Sequence, residues 1–168
     1  MTSENEAAVS AAVAKLYDTY PFPPEPPIDE PPPGYNWRWH WPSAYSFCTG
    51  HAPHSNTIKI LDAGCGSGVG TEYLVHLNPD AQVTGIDLSA GTLAVARERC
   101  QRSGADRVTF QQLSIYDVGQ LEDRFDLINC VGVLHHMPDP IKGIQALATK
   151  LAPRSEERRV GKECRSRW

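Results

Sequence analysis

The chain has 168 residues, 40% of them hydrophobic and 21% charged, with a formal net charge of −4. That length suits one domain around one core, and the acidic balance argues against a nucleic-acid partner, whose phosphates call for a basic footprint. No stretch is apolar enough for a membrane span, and Met1-Thr-Ser-Glu-Asn-Glu lacks the basic flank and apolar run of a signal peptide.

Taken in chain order, residues 5–17 are alanine-rich and predict a helix with Val9, Val13, Leu16 and Tyr17 on its apolar face. Between Pro21 and Pro33 stand eight prolines in thirteen residues, which forbids helix and favours extended chain. Tyr35, Trp37, Trp39 and Trp41 then alternate with polar residues. So many large aromatics want a surface to cover, which a plain linker does not need.

A parallel strand is predicted through Ile58, Ile60 and Leu61, with Asp62 at its carboxyl end and the turn Gly64-Cys-Gly-Ser-Gly68 behind it. A helix over residues 69–77 would aim its free N–H groups at a ligand. A second apolar run ends at Asp87, and Ser89 is the N-cap of a helix over 90–102. Further strands are predicted at Val108–Ser114 and Phe125–Val131. Asp139 and Pro140 then open a last helix, with Ile141, Ile144, Leu147 and Leu151 on one face.

The dinucleotide fingerprint GxGxxG fails, because Val69 and Thr71 stand where the third glycine belongs. A nicotinamide-dependent oxidoreductase is disfavoured accordingly. Instead, Leu61-Asp-Ala-Gly-Cys-Gly-Ser-Gly68 followed by Gly85-Ile-Asp-Leu-Ser89 resembles the glycine and acidic motifs of the class I S-adenosylmethionine-dependent methyltransferases. The strands at 108–114 and 125–131 and the loop Leu134-His-His-Met-Pro-Asp-Pro140 follow in that family's order. The fold class implied is α/β, a Rossmann-like sheet with strands one to four present and strands five to seven missing.

This resemblance implies S-adenosylmethionine as cofactor and a small-molecule acceptor. Gly64, Cys65, Gly66 and Gly68 would line its methionine portion, with Asp62 ordering the turn and the amino group. Asp87 would accept from the ribose hydroxyls, with Leu88 beside the adenine. Relatives often carry an acidic residue after the third strand, but here Ser114 and Ile115 occupy that place and would contact the adenine; Asp117 is a weaker substitute. Cys130 would edge the cofactor from the fourth strand. His136, and less so His135, would act as base or substrate contact. No carboxylate or cysteine set accompanies the histidines at metal-ligand spacing. Tyr17-Asp-Thr-Tyr-Pro-Phe-Pro-Pro24 resembles an arm that lies over the cofactor pocket in some relatives, and the aromatic arm points to a planar or hydrophobic acceptor.

The five cysteines form no CxxC pair and read as reduced cytoplasmic thiols. Residues 154–168 hold six Lys/Arg and three Asp/Glu, a net of +3, against −7 for the remainder. Their sequence resembles a translated sequencing adapter, so the tail reads as artefactual and the chain as truncated. The expected organisation is thus an arm at 1–55, a partial S-adenosylmethionine-binding domain at 56–153 and the tail. An inactive fragment that at most binds the cofactor is the alternative to an active enzyme.

Overall fold

A computed structural model of the protein describes residues 3–152, so the tail lies outside the described residues. Four parallel strands form one sheet: β1 (Lys59–Ala63), β2 (Gln82–Asp87), β3 (Val108–Gln112) and β4 (Leu127–Asn129), in the order β3-β2-β1-β4. Each parallel pair needs a crossover, and the helices supply it. Around the sheet lie α1 (Ser3–Thr19), α2 (Trp41–Thr49), α3 (Val69–Leu77), α4 (Ala90–Arg102) and α5 (Pro140–Ala148). Single 3₁₀ turns at Ile115–Gln120 and Leu134–His136 complete the path.

The near-continuous apolar run of β1 follows from burial on both faces. Side-chain alternation sends Ile60 into a cluster with Trp41, Leu74, Val75 and Val83, while Leu61 and Ala63 join Ile86, Val118, Phe125 and Leu147 on the other side. Ile60, Leu61 and Ala63 are all fully buried. Phe125, 1% exposed, is the largest fully buried side chain. Phe125→Ala is expected to cost about 3–5 kcal/mol through lost transfer energy and the cavity left behind. Urea denaturation at unchanged m-value checks this.

Four sequence expectations change. Helix α2 was not anticipated, although Pro42 follows the N-cap His40 and Gly50 closes the C-terminus at φ +81°, both recognisable end signals. Leu16 of the supposed apolar face of α1 is 52% exposed, because the helix turns Val13 and Tyr17 inward instead. In α5 only Leu147 of the expected stripe is buried; Ile141 and Ile144 face outward. The reason is Gly143, whose missing side chain lets Met137 pack against the helix. Asp139 does cap α5, accepting from Lys142 N at 2.9 Å.

The fourth strand is also shorter than predicted, and its outer edge is not wholly bare. After α5 the chain returns to the sheet: Leu151 forms a parallel bridge with Phe125, Phe125 N donates to Lys150 O and Ala152 N to Phe125 O, each at 2.8 Å.

Candidate functional site

At the carboxyl ends of β1 and β2 the backbone closes a tight turn. Gly64 N and Cys65 N both donate to Ile86 O, at 2.8 and 2.9 Å, which fastens the turn to β2. Gly66 has φ +55° and donates its N–H to Asp87 Oδ2 at 3.0 Å. The other Asp87 oxygen accepts from Ser89 N at 3.0 Å. One carboxylate thus braces the glycine turn and the entry to α4 together.

Asp62 is 3% exposed and similarly committed. It accepts from Thr71 Oγ1 at 2.5 Å and from Asn129 Nδ2 at 2.7 Å. Asn129 Oδ1 in turn accepts from Trp39 Nε1 at 3.1 Å, so the aromatic segment is tied to the end of β4. Trp39 also packs on Tyr73, with ring centroids 5.1 Å apart.

The proline-rich arm is fastened to the same turn. Ser67 N donates to Phe22 O at 2.9 Å and Ser67 Oγ to Pro23 O at 2.6 Å. Asp18 accepts from Ser89 Oγ at 2.6 Å and Gly91 N at 2.9 Å, and Thr92 Oγ1 donates to Tyr17 O at 2.9 Å. Buried Arg99 holds the arm from beneath: its guanidinium donates to the carbonyls of Ser67, Glu25 and Pro26 and lies 3.6 Å from Glu72.

Between arm, turn and strand ends lies a cavity of about 290 Å³. Asp62, Gly64, Cys65, Gly66, Asp87, Leu88, Ser114, Ile115 and His136 all line it. Gly68, Cys130 and His135 are not among its lining. Gly68, expected beside a cofactor, instead faces α4, where a side chain would meet Ala96 at 2.9 Å; its role is helix packing. Cys130 packs against the core cluster around Phe125, and His135 is exposed, its ring tilted against that of His136 with centroids 3.9 Å apart. Ser114 is engaged as N-cap of its 3₁₀ turn, accepting from Tyr116 N at 3.2 Å. Asp117 is exposed and outside the lining.

Sequence reasoning missed Val133 as a wall residue and did not see that Val13 reaches the pocket, whereas Tyr17 and Trp39 belong to the arm expected over it. For Val13 the signal was present in its helical spacing of four from Tyr17. For Val133 it was absent: only the fold brings it against Gly64, where any side chain would strike it.

Burial raises the carboxyl groups of both Asp62 and Asp87 above their ordinary range, although hydrogen bonds oppose it, and the Asp87 charge raises Asp62 further. A buried carboxylate, Asp62, and a half-buried one, Asp87, facing one small, largely apolar cavity favour a ligand that carries positive charge together with hydroxyl or N–H donors. Burial likewise pushes the Cys65 thiol well up, which leaves it unsuited to act as a thiolate. Among the described residues no group of three or more His, Cys, Asp or Glu could hold a metal, and no helix is long and apolar enough to cross a membrane.

A parallel sheet with a glycine turn and acidic residues at adjacent strand ends defines a Rossmann-like domain of the class I S-adenosylmethionine-dependent methyltransferase type. More particularly, the chain belongs to the methyltransferase-domain family, whose model matches residues 54–158. It is 70% identical over 147 residues to an uncharacterized protein of Synechococcus, covering 87% of this chain and 35% of that protein. It is 37% identical over 100 residues to a ubiquinone biosynthesis O-methyltransferase of Actinobacillus pleuropneumoniae, covering 56% of this chain and 42% of the enzyme. The fold is similar to that of PKMT2 from Rickettsia typhi in complex with AdoHcy, with 27% identity, a TM-score of 0.60 and coverage of 73% of this chain and 25% of that one. The chain spans about a third of the length of the Synechococcus relative.

Proposed function

We propose that the protein binds S-adenosylmethionine in this cavity and transfers its methyl group to a small-molecule acceptor with a planar or hydrophobic body. The observation that carries this reading is the pair of carboxylates that line the cavity on either side of the glycine turn, Asp62 buried and Asp87 half-buried. The ligand meets them with an ammonium group, a sulfonium and two ribose hydroxyls. When bound, it supplies an already activated methyl group.

The chain's own residues then do the rest. Asp87 receives the ribose hydroxyls on lone pairs not used by Gly66 and Ser89. Asp62, held by Thr71 and Asn129, compensates the ammonium charge together with the backbone of Gly64 and Cys65. Leu88, Ser114 and Ile115 flank the adenine. The arm, through Tyr17, Phe22 and Pro23, roofs the cavity and excludes water. Of the arm expected over residues 1–55, α1 and the proline-rich segment thus act as a lid, while α2 packs into the core through Trp41 and Tyr45. His136 stands on the acceptor side; burial and the neighbouring His135 lower its pKa, so it stays neutral and able to take a proton.

Calorimetry with S-adenosylhomocysteine, which retains the ammonium, tests the reading. Both carboxyl groups lie above their ordinary range in the free protein, and an incoming cation lowers them, so binding releases protons. In buffers of different ionisation enthalpy at about pH 5, near the carboxylate range, net proton release is therefore expected. Affinity falls as pH drops through that range, because the protonated carboxyls no longer compensate the cation. Proton uptake, or the absence of binding, refutes the assignment.

A further inference from the structure

Tyr17 and His136 are 119 positions apart, yet Tyr17 Oη lies 3.0 Å from His136 Nε2, with the rings edge-to-face at 5.7 Å. Both side chains line the cavity, one from the arm and one from the loop after β4. The contact is not a loose surface encounter. Tyr17 is pinned at its own carbonyl by Thr92, and its neighbour Asp18 is held by Ser89 and Gly91.

Most other polar groups of the cavity are already committed. Asp62 is held by Thr71 and Asn129, and Asp87 by Gly66 and Ser89. Tyr116 donates its hydroxyl to Asp139 O at 3.0 Å and accepts from Asp139 N at 2.9 Å. Asn129 is shared between Asp62 and Trp39. Ser114 caps its turn, and the Cys65 thiol is a poor proton acceptor. The Tyr17–His136 pair is therefore the lining's means of moving a proton off a substrate.

We propose that Tyr17 is a catalytic residue, that its hydroxyl contacts the acceptor and relays the acceptor's proton to His136, and that the acceptor is accordingly a phenolic hydroxyl. This rests on the proposed methyl transfer and deepens it. With His136 Nε2 accepting from Tyr17 O–H, the phenolic oxygen keeps a lone pair aimed away from the imidazole. A substrate hydroxyl donates there. As the acceptor oxygen bonds the methyl carbon, the carbon–sulfur bond breaks and its electron pair stays on sulfur. The acceptor's O–H bond breaks, its proton joins Tyr17, and the former Tyr17 proton forms the N–H bond at His136 Nε2. The exposed imidazolium then returns its proton to water.

The chemical class follows from proton affinity. A neutral imidazole is better matched to a phenol, with a pKa of about 10 like tyrosine itself, than to the far less acidic alkyl alcohol as the methyl bond forms. An amine acceptor would need to arrive deprotonated and would gain less from this relay.

Methyl-labelled S-adenosylmethionine with catechol as acceptor tests the relay in the full chain and in Tyr17→Phe, His136→Asn and the double variant. We expect label transfer to catechol oxygen, with kcat reduced about 100-fold in each single variant and no further in the double, because the two groups act as one unit. Affinity for S-adenosylhomocysteine stays within twofold in Tyr17→Phe, whose ring is retained. A nitro-substituted catechol, ionised without help, restores most of the Tyr17→Phe rate. Independently of activity, the imidazole nitrogen NMR signals of His136 shift in Tyr17→Phe.

Three results overturn the proposal: Tyr17→Phe turning over catechol like the parent, equal losses with both catechols, or no transfer to catechol by a parent that binds S-adenosylhomocysteine. A parent that fails to bind S-adenosylhomocysteine overturns the cofactor assignment itself, and the relay with it.

Discussion

Gly66→Val is expected to lower affinity for S-adenosylhomocysteine at least 100-fold, measured by calorimetry. Two effects combine. At φ +55° a β-branched residue is strained, a cost on the order of 1–3 kcal/mol. Beyond that, the new Cβ would strike the carbonyl oxygen of Phe22, which is backbone and part of the arm. Relief requires the arm to lift, which breaks the Ser67 N to Phe22 O bond, or the turn to shift, which breaks Gly66 N to Asp87. Either way the cavity loses a wall. Native-like far-ultraviolet dichroism with unchanged affinity would show that the glycine turn is not the binding element.

Arg99→Met is expected to destabilise the fold by about 3–5 kcal/mol, the range for leaving one member of a buried ion pair uncompensated. Glu72 is 2% exposed and its Oε1 has no hydrogen-bond partner among the described residues, so it leans on Arg99. The same substitution strips donors from the carbonyls of Ser67, Glu25 and Pro26. Denaturant titration reads the stability loss. The double variant Arg99→Met/Glu72→Gln separates the two contributions: recovery of most of the stability assigns the loss to the stranded charge, and its persistence assigns it to the arm.

The contrast between these two residues shows what a sequence makes legible. Gly66 stood in a pattern whose chemistry is local: an apolar strand, small residues in a turn and an acid beyond, each speaking to its neighbours. Asp62, Asp87 and the four strands were legible for the same reason. Arg99 sat unremarked within a helix, because its partners are backbone carbonyls from an extended segment more than seventy positions away. Every residue type offers such a carbonyl, so composition carries no trace of which one is used.

The aromatic run makes the same point differently. Trp37, Trp39 and Trp41 look equivalent by spacing, yet they part company in the fold. Trp41 is buried in the core, Trp39 reaches the strand end and Trp37 rests at the surface against Phe47. A turn at residues 37–39, rather than an extended strand, breaks the alternation. Tertiary contact decided among them, and nothing local could. In α5 likewise, one glycine rotated a strongly amphipathic helix away from the face its spacing predicted.

The arm's attachment also bears on time. Its chain oxygens from Tyr17 to Pro26 are received by donors on the glycine turn and on α4, so, if the arm is the lid proposed above, a molecule beneath it would depart only when several of these bonds open together. Departure becomes a local-opening event, whose rate is set by the weakest cooperative patch of the cover rather than by the contacts the molecule itself makes. Residence time and affinity would thereby be partly uncoupled, and substitutions in a proline-rich segment far from the bound molecule would change how long it stays.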